Sequence, residues 1–456
     1  MLWVALCLPR LPLEARLRGR APSEAADEPW AVVDHRSVLV CNGAAEALGV
    51  RPGNALTTAR ALAPQLRILP RDATAESRAL EAIATWTCQF TSKVSLEPPQ
   101  GVLLEVAGSL RLFGGAARLM VRLRSGLAEL GFEALLAAGP TARAAFWLAR
   151  GGGETLQALP VAAIGLEPET LALLRRVGVG TLGELMRLPR AGVAARFGPG
   201  LLVTLDRALG RVPEARTFFA PPERFSMQLE LPAPVMEAER VLFAARRLLL
   251  QLEGFLAARQ AGVRGFTLHL SHRDGRVTRI EIGSATPHRD IEHWQRLLRE
   301  RLEATAVKSP AEAIRIEAAG LTPFSGVSSG LFGDTRSEAE AWERLTERLQ
   351  ARLGGAQVHG LATHAEHRPE RAWRALAADA AAADDAAPGP RPLWLLEPPR
   401  RLGDGEFELL AGPERIESGW WDGDDVRRDY YIAACGSSLG WIFRGGEGWF
   451  LHGLFA

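Results

Sequence analysis

A chain of 456 residues with ordinary apolar and charged content is long enough for several domains, each burying its own core. A formal net charge of +1 excludes a global basic field as an advertisement for nucleic acid, and four scattered cysteines without a Cys-x-x-Cys pair exclude a zinc ribbon and a disulfide framework. The apolar start is too short, and too interrupted by Pro9, Arg10 and Pro12, for a signal peptide or membrane span, so a reducing cytosol and no membrane partner are expected.

Short apolar runs at Leu2–Leu8, Ala31–Val33, Val38–Cys41, Val102–Val106 and Ala134–Ala138 alternate with helical periodicity at Ala55–Ala63, Ala75–Phe90 and Ala116–Leu130. That alternation predicts an α/β domain with an inserted helical piece. After the break at Gly151–Gly153, Leu173–Leu185 reads as two short helices joined by Gly178-Val179-Gly180, with Thr181 near the start of the second. Glycines let a backbone approach a phosphate and exposed amides at a helix start attract one; a tight corner packing its own leucines is the alternative.

A strand at Gln228–Leu231 precedes a long amphipathic helix, Ala238–Gln260, whose stripe is Leu242, Leu248, Leu249, Leu252 and Leu256. Strands Gly265–Ser271 and Val277–Ile282 flank the hairpin signal Arg273-Asp274-Gly275, and helix Ile291–Ala304 and strand Ala313–Ala318 complete a βαββαβ unit. Helix Glu338–Leu353 leads to His364, Glu366 and His367, which invite a metal reading, although a polar loop is the simpler account. Ala375–Pro390 reads as a linker. Beyond it, alternating aromatics and aliphatics between Gly/Asp turns predict a small β module.

The segment Glu97–Gly114 resembles the palm signature of the Y-family (translesion) DNA polymerases, in which Ser-Ile-Asp-Glu precedes an apolar strand ending Asp-Val-Thr-Gly-Ser and a Leu-Phe-Gly. Anchored on Val106, Gly108, Ser109 and Leu112–Gly114, the family's catalytic Asp-Glu pair falls on Gln100 and Gly101. Leu2–Pro9 is similar to the family's opening strand, whose metal-binding Asp falls near Ala5 or Leu6. All three carboxylates are replaced. Phosphoryl transfer by two divalent cations needs anionic oxygen ligands, which neither Gln nor Gly supplies. Asp34, Glu97 and Glu105 remain nearby, and a relocated site using Glu105 is the alternative reading, the only one that would require Mg²⁺.

The insert at about 42–72 is similar to the Y-family fingers: Gly49, Val50, Gly53, Ala59 and Pro64 fit, while the family's triphosphate-holding Tyr and Arg fall on Gly43 and Glu46. A Glu there repels a triphosphate. The resemblance implies right-hand architecture, multidomain α/β and α+β: palm 1–152, thumb with helix-hairpin-helix 153–222, little finger 223–322, loop and helical segment 323–374, linker 375–391 and a C-terminal module 392–456. It also implies non-sequence-specific DNA contacts by Gly178, Gly180 and Thr181 in the thumb and by Arg264, Arg273, Arg276 and Arg279 in the little finger; solvated arginines are the alternative. Leu331-Phe332 resembles the end of a sliding-clamp-binding peptide, with Ser328 in place of its leading Gln, and folding back onto the core is the competing account. Gln228–Leu231 is a rival clamp segment, but its leucines belong inside the sheet.

The tail, with Arg428–Tyr431 and the ending Trp449–Ala456, resembles the ImuB branch of the Y-family, so that the likeness spans essentially the whole chain. What the branch implies is a non-catalytic adaptor of the SOS response to DNA damage, without a cofactor. Its implied partners are DNA, the sliding clamp, an ImuA-type RecA-like protein and an error-prone replicative-type polymerase. Its implied location is the cytoplasm, with the nucleoid.

Overall fold

The computed structural model describes residues 1–20, 27–305, 307, 309–324, 335–377, 390–403, 405–446 and 448–455, in two compact units, Met1–Arg352 and Leu353–Ala456. The chain is multidomain, α/β and α+β. Its first stretch runs β1 (Trp3–Cys7), α1 (Leu11–Leu17), β2 (Trp30–Asp34), β3 (Ser37–Cys41), α2 (Gly43–Ala47), α3 (Leu56–Leu62), β4 (Arg67–Pro70) and α4 (Ala73–Thr87). It continues with β5 (Val94–Glu97), β6 (Gly101–Glu105), α5 (Leu110–Phe113), α6 (Ala116–Glu129), β7 (Leu135–Gly139) and α7 (Ala142–Gly151).

The palm sheet has the order β5-β6-β1-β7, antiparallel throughout. Successive strand residues face opposite sides, and here both sides are apolar. Val4, Leu6, Val102 and Leu104 pack with α4 and α6, whereas Trp3, Ala5, Cys7 and Leu103 pack with α7 and the helices that follow. A separate sheet, β3-β2-β4, carries α2 and α3. The insert expected at 42–72 therefore begins earlier, at Trp30, because β4 pairs with β2 and draws both hairpin strands out of the palm sheet. Strands β4 and β5 escape the periodicity reading, being only four residues each.

Helices α8 (Pro168–Arg176), α9 (Leu182–Arg187), α10 (Arg190–Phe197) and α11 (Pro199–Ala208) form the thumb region. Then come β8 (Phe225–Val235), α12 (Ala238–Ala258), β9 (Ala261–His272), β10 (Val277–His288), α13 (Ile291–Glu303) and β11 (Ala311–Ala318), the expected βαββαβ order, with sheet order β10-β9-β11-β8 and β12 (Thr322–Pro323) on β9. All five stripe leucines of α12 are buried against that sheet and α13. Helix α14 (Thr335–Leu353) closes the first unit.

In the second unit, β13 (His359–Thr363) pairs with β14 (Trp373–Ala377), so Ala375–Ala377 belong to a strand rather than to the linker expected from 375. Five strands follow: β15 (Trp394–Leu402), β16 (Glu408–Ser418), β17 (Val426–Cys435), β18 (Ser438–Gly445) and β19 (Gly448–Leu454), ordered β15-β19-β18-β17-β16. Leu402, Ala433, Ile442 and Leu451 pack on one face; Ile416, Tyr430, Trp441 and Phe443 pack on the other.

Candidate functional site

In the palm sheet, Ala5 pairs with Leu103, Leu6 with Val102 and Cys7 with Gly101, so the expected metal-binding positions do lie side by side. The space over them is filled. A Cβ on Gly101 would lie 2.6 Å from Phe146 Cε2 and 2.8 Å from the Glu97 carbonyl oxygen, and one on Gly139 would lie 2.7 Å from the Ala145 nitrogen. Both glycines let α7 rest directly on the sheet, and the family's Glu has no room at Gly101. Gln100 stands in the preceding turn, where its carbonyl accepts the Leu8 amide at 2.8 Å. Mg²⁺ demands oxygen ligands, and this face offers Ala5, Leu103 and the Cys7 thiol, which burial pushes up to about 11. These residues do not fit the ion.

The remaining acids are engaged elsewhere. Glu105 accepts the Ala107 amide at 3.2 Å and meets Lys93 Nζ at 3.3 Å, so it caps the turn after β6. Glu97 pairs with Arg216, which also meets Glu214 at 3.1 Å. Asp34 pairs with Arg71 at 3.0 Å in the fingers sheet. Among the described residues, no three carboxylates converge in the palm; the group with ligand-like spacing is His288 and His293 of the little finger with Glu347 of α14. The two imidazoles there stack at 3.9 Å with planes 24° apart, so their planes do not meet within the ~2.1 Å that coordination requires. Glu347 instead accepts from Ser284 Oγ at 2.5 Å and the Ala285 amide at 3.0 Å, pinning α14 to the sheet.

Glu366 is likewise structural. Arg368 donates to it at 2.8 Å and holds its carboxyl down at about 2, while the exposed His364 and His367 join no metal-like group among the described residues. In the fingers, Asn42 caps α2 by accepting the Ala45 amide at 3.1 Å, with Gly43 at the first helical position. Glu46 meets Arg10 at 3.4 Å, and Arg10 also meets Glu133 at 3.0 Å, so that Glu46 faces a cation already shared with another acid.

The thumb hairpin forms as expected, but its amides are occupied. Thr181 caps α9 in a reciprocal box with Glu184, whose Oε2 accepts the Gly180 amide at 2.8 Å and the Thr181 amide at 3.0 Å. Those two bonds, Gly180 first, hold the Glu184 carboxyl below its ordinary range. The Gly178 amide donates to the Arg175 carbonyl at 3.1 Å. A carboxylate of the chain itself thus sits where a phosphate was expected. The Thr-x-x-Glu spacing at 181–184 carried that signal.

The little-finger arginines do not form one patch. Arg273 and Arg276, 88% and 84% exposed, flank the hairpin turn beside Glu312 (3.7 Å) and Asp274 (3.6 Å). Arg264 lies about 30 Å along β9 from Arg273, at about 3.4 Å per residue. Arg279 and Arg315 both pair across His269 on the sheet face away from the helices, and the neighbouring row there holds Glu281 and Glu317. This face is mixed in charge. Leu331 and Phe332 lie outside the described residues. None of the described helices is long and apolar enough to cross a membrane.

Comparison with known proteins places this arrangement. A family model described as impB/mucB/samB matches residues 15–149. Protein ImuB of Caulobacter vibrioides is 32% identical over 457 residues, covering 90% of this chain and 100% of that protein. DNA polymerase IV of Shewanella amazonensis is 26% identical over 327 residues, covering 67% of this chain and 87% of that one. Among solved structures, DinB from Sulfolobus solfataricus is 13% identical, covers 71% of this chain and all of its own, and superposes with a TM-score of 0.40.

Proposed function

The chain belongs to the ImuB family of Y-family DNA polymerase homologues, and from that premise we propose that it is a non-catalytic adaptor of damage-induced mutagenic translesion synthesis. The observation that carries this reading is the palm face on which Ala5, Leu103 and Phe146 pack as core where the family's metals would be held. In this proposal the protein needs no Mg²⁺ and contributes no phosphoryl transfer. It grips DNA without reading sequence, through the little-finger hairpin and, once Glu184 is displaced, through the thumb amides. Leu331-Phe332 engages the sliding clamp, and the C-terminal unit engages an ImuA-type RecA-like protein and an error-prone replicative-type polymerase at the nucleoid. The exposed Trp394, Trp420 and Trp421 support a docking role for that unit, since large apolar side chains left in water mark interaction surfaces.

Primer extension with Mg²⁺ or Mn²⁺ and all four nucleotides tests the central claim. No template-dependent extension is expected; extension that disappears in Glu105→Ala would overturn it. Clamp binding is expected to be lost on combining Leu331→Ala with Phe332→Ala, and undiminished capture of the clamp by that double variant would remove this segment from the proposal.

A further inference from the structure

Palm and little finger meet at two arginines that no described carboxylate neutralises. Arg18, the C-cap of α1, and Arg247, in α12, are 8% and 6% exposed. They close on each other across Gly131, whose φ is +85° and where a Cβ would lie 3.0 Å from both Arg18 Cβ and Arg247 Nε. Nε and Nη1 of Arg18 are closed off from solvent and have no hydrogen-bond partner, so a ligand would have to draw the guanidinium towards the cavity. Its guanidinium rests over the Phe132 ring at 5.1 Å, while Arg247 lies over Phe243 at 4.6 Å and donates to the Arg20 carbonyl at 3.3 Å.

Burial pulls both guanidinium groups down to about 10, for Arg18 with a further contribution from Arg247, so both remain charged at neutral pH. Two adjacent buried cations need counter-charge. The carbonyl ends of α1 and α6 supply roughly half a negative charge each, about half of what is needed. Of the acids lining the cavity, Glu133 is taken by Arg10, burial pushes the Glu14 carboxyl up to about 8, and Glu154 lies on the α7 side. These groups line an open cavity of about 930 Å³ whose remaining wall is largely apolar, including Leu13, Leu17 and Phe132.

We propose that this cavity binds a small phosphate-bearing molecule, its phosphate held between Arg18 and Arg247 and its body against the apolar wall. Paired guanidinium forks match phosphate oxygens, and the ligand would fasten α1 of the palm to α12 of the little finger. Neither the polymerase-derived chemistry nor the adaptor reading requires such a site.

Thermal melts and calorimetric titrations of the full chain with inorganic phosphate, pyrophosphate and AMP, against chloride at equal ionic strength, test it. A saturable rise in melting midpoint is expected, larger with AMP than with inorganic phosphate because the apolar wall takes part; equal rises would overturn the placement of the ligand's body against that wall. Arg18→Gln and Arg247→Gln should each weaken binding about 10- to 100-fold, the worth of a charged hydrogen bond, and Arg247→Lys should weaken it less. In chloride, the Gln variants should melt no lower than the native chain, because they remove uncompensated charge; a purely structural role predicts a lower midpoint and would count against the site. No saturable rise with any of the three ligands, a rise that survives both Gln substitutions, or one produced only by DNA would overturn the proposal.

Discussion

Returning acids to the palm should cost stability and yield no polymerase. Ala5 is fully buried among Trp3, Cys7, Leu103 and Phe146. An ionised Asp there is an uncompensated buried charge, worth about 3–5 kcal/mol of destabilisation. At about 2–4 °C per kcal/mol for a domain of this size, Ala5→Asp should melt roughly 6 °C or more below the native chain at pH 7. The aspartate's pKa would be raised in the fold, so its penalty grows as pH climbs above the unfolded value near 3.9, and the deficit should be larger at pH 8 than at pH 5. Gly101→Glu meets steric resistance as well, since its Cβ would fall 2.6 Å from Phe146 Cε2, and overpacking adds about 1–3 kcal/mol. Urea unfolding followed by tryptophan fluorescence, with primer extension on the same samples, gives both readouts. Native stability together with Mg²⁺-dependent extension in the Ala5→Asp, Gln100→Asp, Gly101→Glu triple variant would show that this face is an open cleft rather than a core.

Glu184→Ala removes the capping box, at a cost of about 1 kcal/mol, and frees the Gly180 and Thr181 amides, so fluorescence anisotropy should show tighter binding to duplex DNA; unchanged affinity would mean that the hairpin does not meet phosphate. Arg273→Ala and Arg276→Ala should each reduce the slope of log affinity against log salt by about 0.9, and an unaltered slope would take the little-finger hairpin out of the DNA contact. Burial depresses His452 to about 4, so that the C-terminal unit should lose stability as pH falls from about 6.5 towards 4, where the unfolded chain binds the proton first. His452→Gln should flatten that acid transition in near-ultraviolet dichroism, given that His452 sits against Tyr430 OH at 2.7 Å and near the stacked Trp441; an identical transition would place the titrating group elsewhere.

The long elements were legible because their signals are local. The α12 stripe repeats over 21 residues, and the tail alternates strand by strand. The missing acids were legible for a different reason: Gly108, Ser109 and Phe113 hold their spacing around Gln100 and Gly101. What closes the site was not legible. Phe146 lies 45 positions beyond Gly101 and meets it only because β7 pairs with β1 and α7 folds back over the sheet. Arg18 and Arg247 are more distant still, and each alone reads as an ordinary helix arginine. Glu184 differs, since its capping role follows from Thr181 three residues earlier, and that rule competes directly with the phosphate-binding reading of the same amides.

On the adaptor reading proposed above, the filled palm face accounts for a polymerase-like frame kept without the chemistry. A polymerase palm must keep one face of its sheet polar and open for metals, which forgoes the hydrophobic stabilisation of covering it. Here Ala5, Cys7 and Leu103 join the core formed by α7 and the thumb helices, while Val4, Leu6 and Leu104 join the core formed by α4 and α6. The second core reaches the little finger: Leu250 of α12 packs into it, and Gly254 makes room for Trp86, a Cβ there lying 2.6 Å from Trp86 Cδ1. The sheet has become a plate with the thumb on one face and the little finger docked behind the other. On the adaptor reading, the small residues Ala5 and Gly101 stabilise that plate by letting α7 cover it. Reversal requires more than three carboxylates, because α7 would have to lift from the sheet before any ion could enter.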